Sequence, residues 1–341
     1  MRAVIFHGPD DVRVEDIPVP AIADGELLLR VAGCGLCGSD LLKLAPGTRP
    51  PVALGHELTG TVAASHTSIF AVGQRLVVAH HAPCGTCAYC QRGSPTMCAA
   101  FKASRLDPCG LAEYVRVSAA HVEQVALPLA DDLADEAASF TEPLACVLRA
   151  LDRVALRAVA DAAVFGLGTM GLLLLQALPV RRPGVRVAGV DPLPARRELA
   201  LALGADIALD PSGDPADLTA ALRGTTASRG PDLVILTAGA PSALAAAQAG
   251  VRDGGEILVF AALPGAPVAF DLWDAYHREL RLTTSYSSTP ADLRAALALL
   301  AEGRVHVDTL ISHRLPLAAF HEGVALARAH RALKVYFTVR A

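Results

Sequence analysis

The chain has 341 residues, more than one hydrophobic core usually supports, and a net charge of −4 with its Lys and Arg scattered singly or in short pairs, so two domains are expected and a nucleic-acid surface is excluded. Apolar residues make up 52% of it, yet no stretch reaches the ~18 uninterrupted apolar residues that a membrane helix needs. The opening MRAVIFHGPDDVRVED does not read as a secretory leader, and a reducing cytoplasm is expected, with thiols free for metal.

Taken in chain order, short strand-like runs at 3–6, 12–15, 27–32, 60–64, 75–79 and 113–117, separated by Gly or Pro, predict a small barrel or sandwich up to about residue 145. From 161 to about 285 the pattern changes. Apolar strands at 162–165, 185–190, 233–237 and 256–261 alternate with Ala/Leu-rich helices, which predicts a parallel doubly wound sheet, an α/β fold. The helix after Gly171 is expected to stop early at Pro179. A helix over 292–302 would place Leu293, Leu297 and Leu300 on one face, and a strand at 334–339 is expected to rejoin the first domain. The predicted domains are 1–148 with 288–341, and 149–287.

Four of the eight cysteines stand close together as Cys84-Gly-Thr-Cys87-Ala-Tyr-Cys90, with Cys98 following after a gap of seven residues. Zinc accepts four sulfurs tetrahedrally at ~2.3 Å, and two-residue gaps bring successive sulfurs to one centre without stretching the backbone, so a structural zinc lobe at about 80–100 is predicted. An iron–sulfur run would need a final gap of three residues and a following proline. Here the last gap is seven and Ala99 follows.

The strand at 162–165 runs into Gly166-Leu-Gly168-Thr169-Met170-Gly171 and then a Leu-rich helix. In that setting Gly166 permits a tight turn, Gly168 lets a pyrophosphate approach backbone N–H groups, and Gly171 lets the helix pack on the strand. Twenty residues past Gly171, Asp191 ends the next strand, where a carboxylate would accept from ribose hydroxyls and repel a 2′-phosphate. NAD is therefore expected over NADP, with Arg196 and Arg197 able in principle to hold that phosphate. Thr237 and Ala261, at the ends of the later strands, complete the expected cofactor-binding set.

Two further pieces carry metal chemistry, Gly35-Leu-Cys37-Gly-Ser39-Asp40 and Gly55-His56-Glu57. Cys37, His56 and a distant carboxylate could make a three-ligand zinc site with an open position. With these motifs in this order, ahead of a cysteine lobe and a dinucleotide unit, the whole chain resembles the zinc-dependent medium-chain dehydrogenase/reductase family, near its polyol (sorbitol) and threonine dehydrogenase branches.

The resemblance implies a GroES-like β-barrel catalytic domain and a Rossmann cofactor domain. It implies Cys37 and His56 as ligands of the catalytic zinc, Glu57 as a carboxylate behind the metal that can exchange with its ligands, and Glu142 of Thr141-Glu142-Pro143-Leu144 as third ligand. Cys146, four residues on, would share a helical face with Glu142 and could compete for the metal, while Cys34 and Cys109 read as buried thiols. Asp40 resembles the acid that fixes the tautomer of His56, and Ser39 the hydroxyl that takes the substrate proton. Leu42 stands where many relatives carry a relay histidine, so the proton is expected to leave through water. The stretch 43–52 is short, which makes the substrate hard to transfer by analogy.

The implied reaction is hydride transfer between NAD(H) and a secondary alcohol or ketone: a polyol, sugar alcohol or cyclitol. The alternatives are threonine-dehydrogenase-like amino-alcohol oxidation, a phosphorylated sugar alcohol held by Lys102 and Arg105, and a non-catalytic NADH-sensing protein. A small-molecule substrate, no nucleic acid, no membrane and a homodimer or homotetramer are the expected partners.

Overall fold

A computed structural model describes residues 1–341 except 9–10, 51, 53, 228, 263–264, 266 and 340–341. The chain divides into two compact units, Met1–Ala145 with Ser288–Ala341, and Cys146–Ser287.

The first unit is built on a seven-stranded sheet. Its strands run Ile311–Pro316, Lys334–Thr338, Leu27–Gly35, Glu57–Ser65, Arg75–Val78 and Ala126–Pro128 in spatial order, with Tyr114–Val117 also on the third. Alternation explains the central strand: Leu27, Leu29 and Val31 point into the core while Arg30 between them is exposed. Register irregularities between Leu28 and Leu29 and between Val31 and Gly33 bend it, as bulges do in curved sheets. The hairpin Arg2–Gly8 with Asp11–Asp16 adds Val4, Phe6 and Val12 to the same core. The C-terminal strand returns as expected, pairing antiparallel so that Tyr336 faces Gly35 and Phe337 faces Cys34. That return brings Lys334 to the end of the strand that leads into Cys37.

The second unit is a parallel sheet in the order Ile207–Leu209, Arg186–Val190, Asp161–Phe165, Leu233–Leu236, Glu256–Val259, Arg281–Thr284. In sequence order this is 3-2-1-4-5-6, the doubly wound arrangement that places a ligand crevice where strands one and four part. Strands Asp161–Phe165 and Leu233–Leu236 are buried on both faces, which is why they read as continuous apolar runs.

The expectation of an early helix stop is corrected. Thr169–Arg181 is one helix with Pro179 inside it. Pro179 falls in the last turn and is exposed, so it removes one N–H donor late in the ladder, whereas Leu172 to Leu178 are all buried and hold the helix against the sheet. The short strands Ala126–Pro128, Ile207–Leu209, Arg281–Thr284 and Ile311–Pro316 have no counterpart in the sequence reading.

Candidate metal centres and nucleotide loop

Cys37 precedes the helix Gly38–Lys43, and His56 immediately precedes the strand Glu57–Ser65. Asp40 ties the two loops together. Its carboxylate accepts from Cys37 N at 3.3 Å, from Gly55 N at 3.2 Å and from Lys43 Nζ at 3.4 Å, and it lies 3.4 Å from His56 Nδ1. Gly55 has φ +81, and a Cβ there would meet Leu111 and Cys34, so only glycine lets the loop turn here.

Burial raises the Asp40 pKa, but the His56 ring, Lys43 and the Gly55 N–H outweigh it and hold the carboxyl well below its ordinary range. Burial lowers the His56 value, and Asp40 and Cys37 more than offset that, keeping it well above an ordinary histidine. A field that favours a proton on His56 equally favours a bound cation beside it. Since Nδ1 faces Asp40, Nε2 is the nitrogen free for a metal, and Ser39 Oγ lies 3.5 Å from it.

The ligand atoms of Cys37, His56 and Glu57 all lie within 4.8 Å of one another. Glu57 is nonetheless committed elsewhere: Lys334 Nζ donates to its two oxygens at 2.7 and 2.6 Å and to Leu36 O at 3.2 Å, all buried. A Cβ at Gly35 would overlap Glu57 Oε2, so glycine there makes room for the carboxylate. Glu142 is buried in the first turn of Thr141–Leu151 and contributes to the field at Lys334, but it is not one of the three in the 4.8 Å group. Cys146 lies one turn on in the same helix, half-buried. Cys34 and Cys109 are buried thiols whose pKa burial raises.

The four lobe sulfurs also meet within 4.8 Å. Cys84 and Cys90 are 3.9 Å apart, Cys87 and Cys90 3.6 Å, and Cys98 and Cys84 3.5 Å. A tetrahedron with ~2.3 Å metal–sulfur bonds has edges of ~3.8 Å, so the lobe fits zinc without rearrangement. Backbone N–H groups of Thr86 and Cys87 pull the Cys84 thiol down to about 6, which favours the thiolate a metal needs. Lys102 is exposed on the next helix, and Arg105 is exposed just beyond it. Leu42 is 43% exposed, and Pro51 in the stretch 43–52 lies outside the described residues.

In the second unit, Gly166 has φ +90, and a Cβ at Gly171 would overlap the Gly166 carbonyl. Gly168 opens the helix Thr169–Arg181, and a Cβ there would meet only Arg196 Nη1 at 4.0 Å. Space above a glycine at a helix N-terminus suits a pyrophosphate. Thr237 Oγ1 donates to Phe165 O and Gly166 O at 3.0 and 2.7 Å, fixing the turn, and Ala261 N donates to Leu236 O at 3.2 Å. Met170 is half-buried and Thr169 buried. The buried Asp191 accepts from Leu167 N and Leu193 N at 2.8 and 2.9 Å, with Arg196 Nη1 3.6 Å away. Arg197 is tied down by Asp191 O, Pro192 O and Asp210.

Residues 23–128 match the alcohol dehydrogenase GroES-like domain, and 166–302 match the zinc-binding dehydrogenase domain. A sorbitol dehydrogenase of Bombyx mori is 30% identical over 99% of this chain and 98% of its own. The chain belongs to the zinc-dependent medium-chain dehydrogenase/reductase family. An erythritol/L-threitol dehydrogenase of Mycolicibacterium smegmatis is 30% identical over 96% of this chain and 94% of its own. A zinc-binding dehydrogenase of Sinorhizobium meliloti, solved bound to NADP, superposes with a TM-score of 0.88 at 30% identity, covering 99% of each chain. Membership of this dehydrogenase family makes the protein an NAD(P)-linked alcohol oxidoreductase. Among the described residues no helix is long and apolar enough to cross a membrane.

Sequence reasoning missed two residues at this centre. Lys334 reads as one more strand residue until the C-terminal strand is seen to return beside Gly35. His80 packs against His56 at a tilt, with ring centroids 4.5 Å apart, and burial holds its pKa well below the ordinary value. The only sequence signal for it is the pair His80-His81 just ahead of the cysteine run.

Proposed function

We propose that this family member is a zinc- and NAD-dependent dehydrogenase of secondary alcohols, with polyols, sugar alcohols or cyclitols as its substrates. The observation that carries the reading is the Cys37, His56 and Glu57 group, braced by Asp40 and flanked by Ser39, in a chain that also carries the nucleotide loop. The polyol class is supported by the relatives named for sorbitol and erythritol oxidation.

In this reading Cys37 and His56 Nε2 hold the catalytic zinc. Glu142 would be the third ligand, as the family resemblance implies, with Cys146 as its competitor on the same helix face. Bound there, zinc would supply Lewis acidity toward the substrate oxygen, and the nicotinamide cofactor would supply the hydride acceptor. Asp40 keeps the His56 proton on Nδ1. Ser39 Oγ receives the substrate proton, which passes to solvent past the exposed Leu42. Cys84, Cys87, Cys90 and Cys98 hold the second, structural zinc. Asp191 disfavours a 2′-phosphate, and Arg197 is bonded away from it, which supports NAD, while Arg196 is the residue through which NADP would bind.

Zinc per chain, measured by plasma emission on the wild type and on Cys37→Ala, tests this together with NAD reduction across a polyol and amino-alcohol panel. Two zincs falling to one, with at least ~10³-fold loss of polyol turnover, is the expected result. One zinc that survives the substitution, with no turnover on any alcohol, would move the protein to the NADH-sensing reading. Turnover of L-threonine in place of polyols would move it to the amino-alcohol branch.

A further inference from the structure

Three histidine rings stack away from the candidate catalytic zinc site. The centroids of His56 and His80 are 4.5 Å apart, those of His80 and His81 are 4.0 Å apart, and His81 ends the row 4.8 Å from Phe101. The sheet register builds this contact. Leu58 pairs with Val78, and continuing that register two residues outward sets positions 56 and 80 opposite each other.

The neighbouring histidines are bonded within the fold. His81 Nδ1 is 2.7 Å from Ser104 O, and His121 bonds Ser118 Oγ at 2.7 Å and His80 O at 3.1 Å. His80 is different. Its Nδ1 is buried with no partner, and among the described residues no group bonds Nε2 either, although the residue retains some exposure. A buried polar atom without a partner is uncommon and costs stability unless something that binds there satisfies it. Ser39 stands at His56 Nε2 and His80 packs at a tilt of 45° against the same ring, so both flank His56. An imidazole offers one donor and one acceptor in either neutral tautomer, which matches a hydroxyl, itself donor and acceptor.

We propose that His80 is a specificity-determining residue whose ring hydrogen-bonds the hydroxyl on the carbon next to the one being oxidised, so that the site prefers vicinal diols to simple secondary alcohols. This rests on the polyol reading above. A site built to bond a hydroxyl discriminates strongly against a substrate that lacks it, because its own polar group is then left unpaired.

The test compares xylitol with 2-butanol in the wild type, His80→Phe and His80→Gln. Zinc content and the calorimetric Kd for xylitol are measured alongside. Phe keeps a ring against His56 and removes both nitrogens, and Gln restores a donor and an acceptor should Phe fail to fold. The expected result for Phe is a fall in kcat/KM for xylitol of about tenfold or more, mostly in KM, with a matching loss of binding. Activity on 2-butanol should change by less than about threefold, zinc should be unchanged, and Gln should recover part of the xylitol loss. Parallel losses on both alcohols, loss of zinc, or no change would overturn the role of His80. A wild type that oxidises 2-butanol but not xylitol would overturn the polyol reading itself, and this is seen before any variant is made.

Discussion

Lys334 shows how one buried charge is made tolerable. Its ammonium is 5% exposed on its side chain, and Glu57 is 2% exposed, yet the pair closes at 2.6 Å with Leu36 O as a third partner. Burial alone would lower the lysine pKa, and Glu57 more than reverses that, so the ammonium stays charged. Removing one partner leaves the other buried and uncompensated, which typically costs ~3–5 kcal/mol, whereas removing both leaves little to repay. Lys334→Met should therefore lower urea stability by about that amount, and Lys334→Met with Glu57→Gln should recover most of it. If the double variant is as unstable as the single one, the lysine acts through packing and not through charge. The sequence could name Glu57 because it follows His56 in a recognisable run. Lys334 lies 277 positions away, and its partner is set by sheet pairing alone.

At the scale of elements, Asp232 plays for the parallel sheet the part Asp40 plays for the metal loops. It accepts from Ala160 N at 2.7 Å, Asp161 N at 2.9 Å and Arg252 Nε at 2.5 Å, joining the starts of the two central strands to the turn after the helix Pro241–Gly250. Burial raises its pKa, but the Arg252 hydrogen bond and the two N–H donors outweigh it and leave the carboxyl below its usual 3.8. A carboxyl lowered by folding contributes stability that is present above the unfolded value and is lost as pH falls through the folded one. Asp232→Asn should cost roughly 1–3 kcal/mol at neutral pH, and the gap from wild type should narrow as the pH falls below the carboxyl's usual 3.8. A gap that persists in thermal melts at pH 2 would show that the loss is steric. The doubly wound sheet was legible in the sequence because its strands are buried on both faces and its glycine loop needs glycine for reasons of contact. Pro179 misled because a local rule for proline carries no information about the packed turns before it, and Ile207–Leu209 was missed because it is half-buried and only three residues long.

On the whole molecule, the large apolar side chains left exposed are not spread evenly. Leu272, Trp273 and Tyr276, each at least 70% exposed, share the helix Leu272–His277, and Leu282 at 47% lies on Arg281–Thr284, the strand at one end of the parallel sheet, with Tyr286 at 55% just after it. Trp273 and Tyr276 also meet the His277 ring edge-on, with centroids 4.2 and 5.6 Å from it. Exposed aromatic side chains, and a strand that among the described residues is paired on one side only, are surfaces that water covers poorly and another chain covers well. The prediction for the expected homo-oligomer is that its copies meet through this face in a symmetric contact. Trp273→Asp with Tyr276→Asp places two carboxylates where burial would desolvate them, so the assembled form should give way to a monomer in light scattering across ~1–50 μM protein. Nicotinamide-cofactor binding, which the proposed function assigns to the glycine loop around Gly166 and Gly168, should survive with its Kd within about threefold. A variant that keeps the wild-type mass would place the contact on another face.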